Sequence, residues 1–259
     1  MLIKKLTSLF LFLGENLLSK KQIRPHNMEG EIHFTSGALG VFYQAGISKF
    51  LKEQYEMSHY EFSGISAGSW CSMFLASNIT SQQMDNIIDC LTKGSIDGNN
   101  FWTKGSELAK VIILNEDFDI DYSRLKIGIT QLTPFPKKKY VTEFNNKEDV
   151  VDACIASSYI PILSGNIATN YKDVLSLDGA IWGEGKLVRK NAILNFSPDI
   201  WGKKYELENL LDFNASNIKK LYAEGYNDTK KNKNMLDQLF MRKQDNMPLK
   251  PKLVRIFWL

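Results

Sequence analysis

Ser66 stands between two glycines in the stretch Gly-Ile-Ser-Ala-Gly at residues 64–68. The segment Tyr-Glu-Phe precedes this stretch, and an apolar segment with helical spacing follows it. Such a sequence predicts a sharp turn from a strand into a helix, with Gly64 and Gly68 placed where side chains would collide with both elements. The turn would hold the Ser66 hydroxyl at a helix N-terminus, where the helix dipole favours negative charge. Ser66 is therefore a candidate nucleophile, and the alternative is a buried serine in a tight packing turn.

A serine hydroxyl is a poor nucleophile until a base removes its proton, and the usual base is histidine. The chain contains three histidines, His26, His33 and His59, and all of them precede Ser66. This order excludes the serine–acid–histidine order of α/β-hydrolases, and no local sequence context supports another histidine-containing triad. We interpret the three histidines as structural or surface residues.

A carboxylate at the end of a strand is a different kind of base. Asp178 follows the apolar segment Val-Leu-Ser-Leu and is followed at once by Gly179. An ordinary aspartate, with a pKa of about 4, is poorly matched to serine. Burial would raise its pKa, and a short hydrogen bond would position it against the hydroxyl. Read by itself, however, an Asp-Gly pair is more typical of a turn.

Nucleophilic attack on a carbonyl also needs backbone N–H groups that stabilise the developing oxyanion, and one such donor is worth about 100- to 1,000-fold in rate. The stretch Thr-Ser-Gly-Ala-Leu-Gly, from Thr35 to Gly40, ends a predicted strand and opens a predicted helix. Gly37 would let the backbone approach a substrate closely. This stretch is the candidate oxyanion loop.

The elements that must position these residues alternate between strand and helix. Strands are expected at residues 31–37, 60–64, 126–132, 139–144, 173–179 and 192–197. Helices are expected at residues 40–55, 66–77, 81–91, 147–160, 214–231 and 233–242. The alternation predicts an α/β fold in which a mainly parallel sheet is covered on both faces. No break in composition indicates a second domain.

The overall charge excludes one class of function. Among 259 residues, 32 are basic and 29 are acidic, so the net charge is only +3. No nucleic-acid partner is expected from such a balance. The lysine clusters at 137–139 and 230–233 are interpreted as solvated loops or helix ends, with a docking patch for anionic lipid as the alternative. Three cysteines are too few for a disulfide framework or a zinc site, and they fit a reducing compartment.

The first 29 residues are expected to form an amphipathic helix and a linker. Two lysines precede a short apolar stretch, and one helical face would collect the leucines at positions 2, 6, 9, 13 and 17. An interfacial helix, a helix packed on the domain and a cleaved signal all remain open, although no small-residue cleavage pattern follows. No apolar run approaches the roughly 20 residues of a membrane span.

Three of these segments together resemble the patatin-like phospholipase family, whose pattern is a glycine-rich oxyanion loop, a later Gly-x-Ser-x-Gly and a downstream Asp-Gly. The matching stretches here are Phe-Thr-Ser-Gly-Ala-Leu-Gly, Gly-Ile-Ser-Ala-Gly and Asp-Gly-Ala. Further similarity lies at residues 43–51, 153–163 and 221–231. The resemblance covers about residues 32–231, and the ordered combination is far more specific than any one motif.

By this resemblance the fold is a three-layer α/β/α sandwich, and residues 30–259 form a patatin-like phospholipase domain. The implied mechanism is a Ser-Asp dyad in which Ser66 attacks a lipid ester and Asp178, with Gly179 beside it, accepts the proton. The implied products are a fatty acid and a lysolipid, and neither a metal nor a cofactor is required. The implied oxyanion donors are the backbone amides of Gly37, Ala38 and Leu39.

The oxyanion loop departs from the family pattern, which usually has three glycines. Matching Gly37 and Gly40 to the family leaves Thr35 and Ser36 at the first two glycine positions. Matching the chain without a gap instead places Ser36, Gly37 and Ala38 on the three glycines. The basic residue that is usual in this loop is absent. A weakened loop of this kind would fit a poor or inactive enzyme.

The leading hypothesis is a phospholipase A-type lipid acyl hydrolase that acts on a phospholipid or another glycerolipid. We expect it to be cytoplasmic and peripherally associated with membranes, with secretion less favoured. The alternatives are a catalytically silent membrane- or partner-binding protein of the same fold, and a hydrolase or acyltransferase of soluble esters. A lipase needs apolar surface near its cleft. The aromatic candidates for that surface, most of them expected in the core, are Phe42, Trp70, Phe74, Trp182 and Trp258.

Overall fold

The computed structural model describes residues 29–93, 104–202, 205 and 212–243. The strands in these residues are β1 Gly30–Phe34, β2 Tyr60–Ile65, β3 Leu125–Gln131, β4 Lys137–Val141, β5 Thr169–Tyr171, β6 Val174–Asp178 and β7 Leu194–Phe196. The α-helices are α1 Gly40–Gln54, α2 Ala67–Leu75, α3 Ser81–Lys93, α4 Ser106–Asn115, α5 Lys147–Ser157, α6 Ala215–Lys231 and α7 Lys233–Leu236. Short 3-10 helices lie at Tyr122–Arg124 and Gly185–Leu187. The expected N-terminal helix and Trp258 lie outside the described residues.

The described strands form one mixed, seven-stranded sheet. β1 runs parallel to β2 and β7, and β2 runs parallel to β3. β4 and β6 are antiparallel to β3, and β5 is antiparallel to β6. Five strands therefore point in one direction and two, β4 and β6, in the other. The prediction of a mainly parallel sheet is confirmed, and the two reversed strands are the part that the sequence did not predict.

Apolar side chains cover both faces of the sheet. On one face, Ile32, Phe34 and Phe62 are fully buried in a large core cluster beneath the helices. All nine residues of α2 are buried, because this helix lies against the sheet with other helices around it. On the other face, Ile65 packs with a smaller cluster that includes Leu187 from the second 3-10 helix. The arrangement agrees with the expected three-layer α/β/α class.

One edge of β3 brings two distant strands together. β2 pairs with β3 as far as Ile65, which lies opposite Gly128. β6 pairs with β3 from the next residue onward, with Asp178 opposite Ile129. Since β4 pairs with these same β3 residues, it occupies the other edge. The ends of β2 and β6 therefore meet on one edge of β3.

Two predicted helices end earlier than expected. α5 stops at Ser157 rather than Ile160, because the Ser157 and Tyr159 carbonyl oxygens accept hydrogen bonds from the N–H groups of Gly179 and Asp178. α7 ends at Leu236, after which the chain turns and places Phe240 in the core against the rings of Tyr55 and Tyr60. α4 was not predicted.

Candidate active site

Ser66 occupies a strained turn between β2 and α2. Its backbone has φ 54° and ψ −124°, a conformation that non-glycine residues rarely adopt and that costs about 1–3 kcal/mol. Two hydrogen bonds close the turn: the N–H and the hydroxyl of Ser69 both donate to the Ser66 carbonyl oxygen, at 3.0 and 2.6 Å. The turn places the Ser66 side chain at the N-terminus of α2, as the sequence predicts.

The two glycines that flank Ser66 let backbone segments approach more closely than a Cβ atom at either position would permit. A Cβ atom on Gly64 would lie 2.2 Å from the carbonyl oxygen of Gly68. A Cβ atom on Gly68 would lie 2.2 Å from the carbonyl oxygen of Phe34 in β1. Because both obstacles are backbone atoms, no rotamer change could relieve the clash. Strand, turn and helix can therefore pack this closely only with glycine at both positions.

Ser66 and Asp178 form a direct hydrogen bond. The Ser66 hydroxyl donates to Oδ2 of Asp178 at 2.5 Å. The other carboxylate oxygen, Oδ1, accepts the backbone N–H of Ala180 at 2.6 Å, which fixes the plane of the carboxylate. Both residues are buried, with only 5% and 4% of their surfaces exposed. The geometry suits proton transfer from the hydroxyl to the carboxylate.

The surroundings of Asp178 make it a stronger base than an ordinary aspartate. Burial raises its pKa from the usual 3.8 to about 6, since a buried carboxylate loses its hydration. Hydrogen bonds from Ser66 and Ala180 oppose this rise, as does the nearby ammonium of Lys138. The Glu184 carboxylate raises the pKa of Asp178 further. A pKa near 6 leaves Asp178 mostly ionised at pH 7 while increasing its affinity for a proton.

Ser157 connects Ser66 to the sheet. Its hydroxyl accepts the backbone N–H of Ser66 at 2.8 Å and donates to the carbonyl oxygen of Gly128 in β3 at 2.7 Å. Its own carbonyl oxygen accepts the N–H of Gly179, directly after Asp178, at 3.1 Å. Ser157 thus contacts both halves of the pair. No sequence motif marked Ser157 as a site residue, although it lies in the stretch of small residues that carries part of the family resemblance.

Lys138 supports the segment that follows Asp178. Its ammonium donates to the carbonyl oxygens of Gly179 and Ile181 at 2.7 and 2.6 Å. The interpretation of the 137–139 cluster as solvated is therefore wrong for Lys138, whose side chain points into the fold because alternate residues of a strand face opposite ways. Lys137 and Lys139 are exposed as expected.

The candidate oxyanion loop follows β1, the strand next to β2, with Phe34 opposite Gly64. It therefore leaves the sheet beside the turn that carries Ser66. Among the residues that the structure describes, no hydrogen bond engages the backbone N–H groups of Gly37, Ala38 or Leu39. Gly37 and Ala38 are half-buried, whereas Leu39 is almost fully buried.

Ala38 has φ 49°, a conformation that favours glycine. This backbone agrees with the gap-free match, in which Ala38 takes a glycine position of the family. Gly37 packs tightly, since a Cβ atom there would lie 2.6 Å from Cγ of Pro198. The loop is also anchored through its neighbour Ser36, whose N–H and hydroxyl both donate to Oε1 of Glu184 at 2.9 Å.

No described histidine contacts the pair. His33 is buried, its Nδ1 lies 2.8 Å from the hydroxyl of Ser63, and burial lowers its pKa to about 4. His59 is exposed, and His26 lies outside the described residues. In the part of the chain that the structure covers, no group of three or more His, Cys, Asp or Glu side chains is placed to bind a metal ion. None of the helices within these same residues has the length and apolar character needed to cross a bilayer.

Comparison with known proteins gives a distant similarity. No family model matches the chain. The human omega-hydroxyceramide transacylase is 28% identical to it over 174 residues, which make up 61% of this chain. The aligned part amounts to 31% of the human protein, so the chain spans only about a third of the length of this relative.

Proposed function

We propose that this protein is a lipid acyl hydrolase of the patatin-like, phospholipase A type, in which Ser66 is the nucleophile and Asp178 the general base. The observation that carries the proposal is the 2.5 Å hydrogen bond from the Ser66 hydroxyl to the buried carboxylate of Asp178. The strained backbone of Ser66 at a helix N-terminus and the raised pKa of Asp178 support the same assignment. No metal or cofactor takes part in the proposed reaction.

In the proposed mechanism, the Ser66 oxygen attacks the ester carbonyl while its proton passes to Asp178. The backbone amides of Gly37, Ala38 and Leu39 donate to the oxyanion that forms. Asp178 then gives its proton to the departing alcohol, which leaves as the lysolipid. Water attacks the acyl-enzyme with Asp178 again as the base, and the fatty acid is released as Ser66 recovers its proton.

A lipid ester is the proposed substrate class for two reasons. The ordered motifs resemble a phospholipase family, and the human protein similar to this chain is an omega-hydroxyceramide transacylase. Both point to acyl chemistry on lipids rather than on soluble esters. The expected peripheral contact with membranes follows from such a substrate, and no nucleic-acid partner enters the proposal.

A second candidate function is acyl transfer, favoured by the similarity to a transacylase. The two reactions share every step up to the acyl-enzyme and differ in the acceptor, which is water in hydrolysis and a lipid hydroxyl in transfer. Supplying the purified protein with both a phospholipid and a lipid alcohol separates them. Free fatty acid as the main product supports hydrolysis, and a new acylated lipid supports transfer.

The decisive experiment is lipid-product analysis with the purified protein and two variants, Ser66→Ala and Asp178→Asn. We expect each variant to release fatty acid from phosphatidylcholine vesicles at least about 1,000-fold more slowly. A Ser72→Ala variant is the matched control, since Ser72 is a buried serine on α2, the helix that begins directly after Ser66. Hydrolysis that survives Ser66→Ala would refute the nucleophile. A folded wild-type protein that never reacts with a fluorophosphonate probe would favour the catalytically silent alternative.

A further inference from the structure

Two loops beside the proposed dyad expose large apolar side chains. The first, residues 160–168, follows α5 and exposes Ile162, Leu163 and Ile167 by 72%, 42% and 76%. The second, residues 179–183, follows Asp178 and exposes Trp182 by 50%. We call these two segments the apolar loops. They carry four of the eight large apolar side chains that are exposed in the described part of the chain, so the exposure is concentrated at the site.

The apolar loops are ordered rather than loosely exposed. In the first loop, the N–H of Ile162 donates to the Asn166 carbonyl oxygen at 3.0 Å, and the N–H of Asn166 donates to the Tyr159 hydroxyl at 2.9 Å. In the second, the N–H of Gly183 donates to the Ala180 carbonyl oxygen at 2.8 Å, and Lys138 donates to the Ile181 carbonyl oxygen. These bonds hold the apolar side chains outward in a defined arrangement.

The backbone of both loops is strained at an exposed apolar residue. Ile162 has φ 71° and Trp182 has φ 55°, a region that a β-branched or bulky residue rarely adopts. Asparagine or glycine would fit either position with less strain and would not expose apolar surface. Backbone strain of this kind clusters at functional sites. The combination indicates that the side chains themselves are needed at these positions.

The charge pattern identifies a lipid surface as the occupant. Residues 159–168 and 179–183 contain no Asp, Glu, Lys or Arg. The exposed Lys137 and Lys139 project from the face of β4 opposite to Lys138. Lys139 pairs with Ile129, the β3 residue that also lies opposite Asp178, so both cations lie at the dyad end of the sheet. Uncharged apolar loops with flanking lysines match the acyl boundary and the head groups of an anionic bilayer.

We propose that the apolar loops dock on the surface of an anionic lipid bilayer, with Ile162 and Trp182 inserted and Lys137 and Lys139 facing the head groups. The choice of a bilayer over another protein rests on the proposed function, because the same loops contain residues next to the dyad. Docking there would present membrane lipids to Ser66. It assigns the membrane contact to the dyad side of the fold.

The test measures vesicle binding by the Ser66→Ala protein, so that docking can be scored whether or not the proposed reaction occurs. The parent should co-sediment with vesicles of phosphatidylcholine mixed with phosphatidylglycerol. Adding Ile162→Asn and Trp182→Asn should weaken binding at least about tenfold. The added changes should leave the thermal midpoint equal or higher, since asparagine tolerates both backbones. If the asparagine protein does not fold, glycine at both positions provides the same comparison.

A remote exposed residue provides the control. Val111 on α4 is 57% exposed, and Val111→Asn removes exposed apolar surface outside the apolar loops. Equal loss of binding in this control, or full binding by the doubly changed protein, would overturn the proposal. A change in oligomeric state without a change in vesicle binding would overturn it too, in favour of a second copy as the occupant.

Substitution of Lys137 and Lys139 tests separately the electrostatic contribution to vesicle binding. Changing Lys137 and Lys139 to glutamine should reduce the preference for anionic over pure phosphatidylcholine vesicles by about fivefold per lysine at low salt. Added salt should reduce the preference of the parent in the same direction. An unchanged preference would show that the occupant is not an anionic surface.

Discussion

Asp178 accepts a hydrogen bond of 2.5 Å from the Ser66 hydroxyl, although 112 positions of sequence separate the two residues. Their contact follows from register: Ile65 and Asp178 lie opposite consecutive residues of β3, Gly128 and Ile129. The sheet thus supplies the geometry, and burial supplies the basicity of Asp178. Each part of this relationship leads to a measurable consequence.

The rate should depend on pH through Asp178. A general base acts only when deprotonated, and burial raises the pKa of Asp178 to about 6. We therefore expect kcat/KM to rise about tenfold per pH unit below pH 6 and to level off above it. The rate of fluorophosphonate labelling over the same range is an independent measurement. A rate that stays constant from pH 4 to pH 7 would remove Asp178 from the role of base.

Asp178 should also lower the stability of the fold at neutral pH. Its pKa is about 6 in the folded protein and about 4 in an unfolded chain, so between these values the folded state binds more protons. The free energy of unfolding therefore falls as pH rises from 4 to 6 and stays lower above that. Asp178→Asn should raise it by up to about 3 kcal/mol at pH 7 and leave it nearly unchanged at pH 4. Denaturant titrations at both pH values measure the difference.

Removing the Ser157 hydroxyl should impair both the turn and the reaction. Ser157→Ala leaves the buried N–H of Ser66 and the carbonyl oxygen of Gly128 without this partner, which costs about 1–3 kcal/mol. A shifted Ser66 should lower kcat by about 10- to 100-fold with a smaller change in KM.

Ser72→Ala is the matched control for this change. Ser72 is fully buried on α2, and within the described residues its hydroxyl has no hydrogen-bond partner. Because Ser72→Ala removes no hydrogen bond and takes away a buried unpaired hydroxyl, it should not lower the free energy of unfolding. Equal effects of the two substitutions on kcat and stability would mean that Ser157 does not position Ser66.

The Lys138 ammonium should influence the pKa of Asp178 and therefore the pH dependence of the rate. It lowers the pKa of Asp178 and holds two carbonyl oxygens of the following segment. In Lys138→Met the pKa of Asp178 should therefore rise, and the acidic limb of the pH–rate profile should move to higher pH. Lys139→Met, at an exposed neighbouring position, should leave the limb in place. An unmoved limb in Lys138→Met, with the fold intact, would contradict this role.

The arrangement of strands was only partly predictable from sequence. Hydrophobic patterning indicated most of the helices and strands and the α/β class, because burial of apolar faces imposes periodicities of about 3.6 and 2 residues. The reversal of β4 and β6 and the early end of α5 depend on hydrogen bonds between segments far apart in the chain. No local pattern encodes such bonds.

For the site, the sequence by itself determined the residue types: a serine between two glycines, an aspartate at a strand end and a glycine-containing loop. These are local features, since they reflect how the backbone turns at one point. Only the tertiary structure decided that Ser66 and Asp178 touch, that Ser157 and Lys138 support them, and that Ile162 and Trp182 lie on loops adjoining the site. Contact, burial and the pKa of a carboxylate depend on which distant segments become neighbours. The register of the strands determines which segments those are.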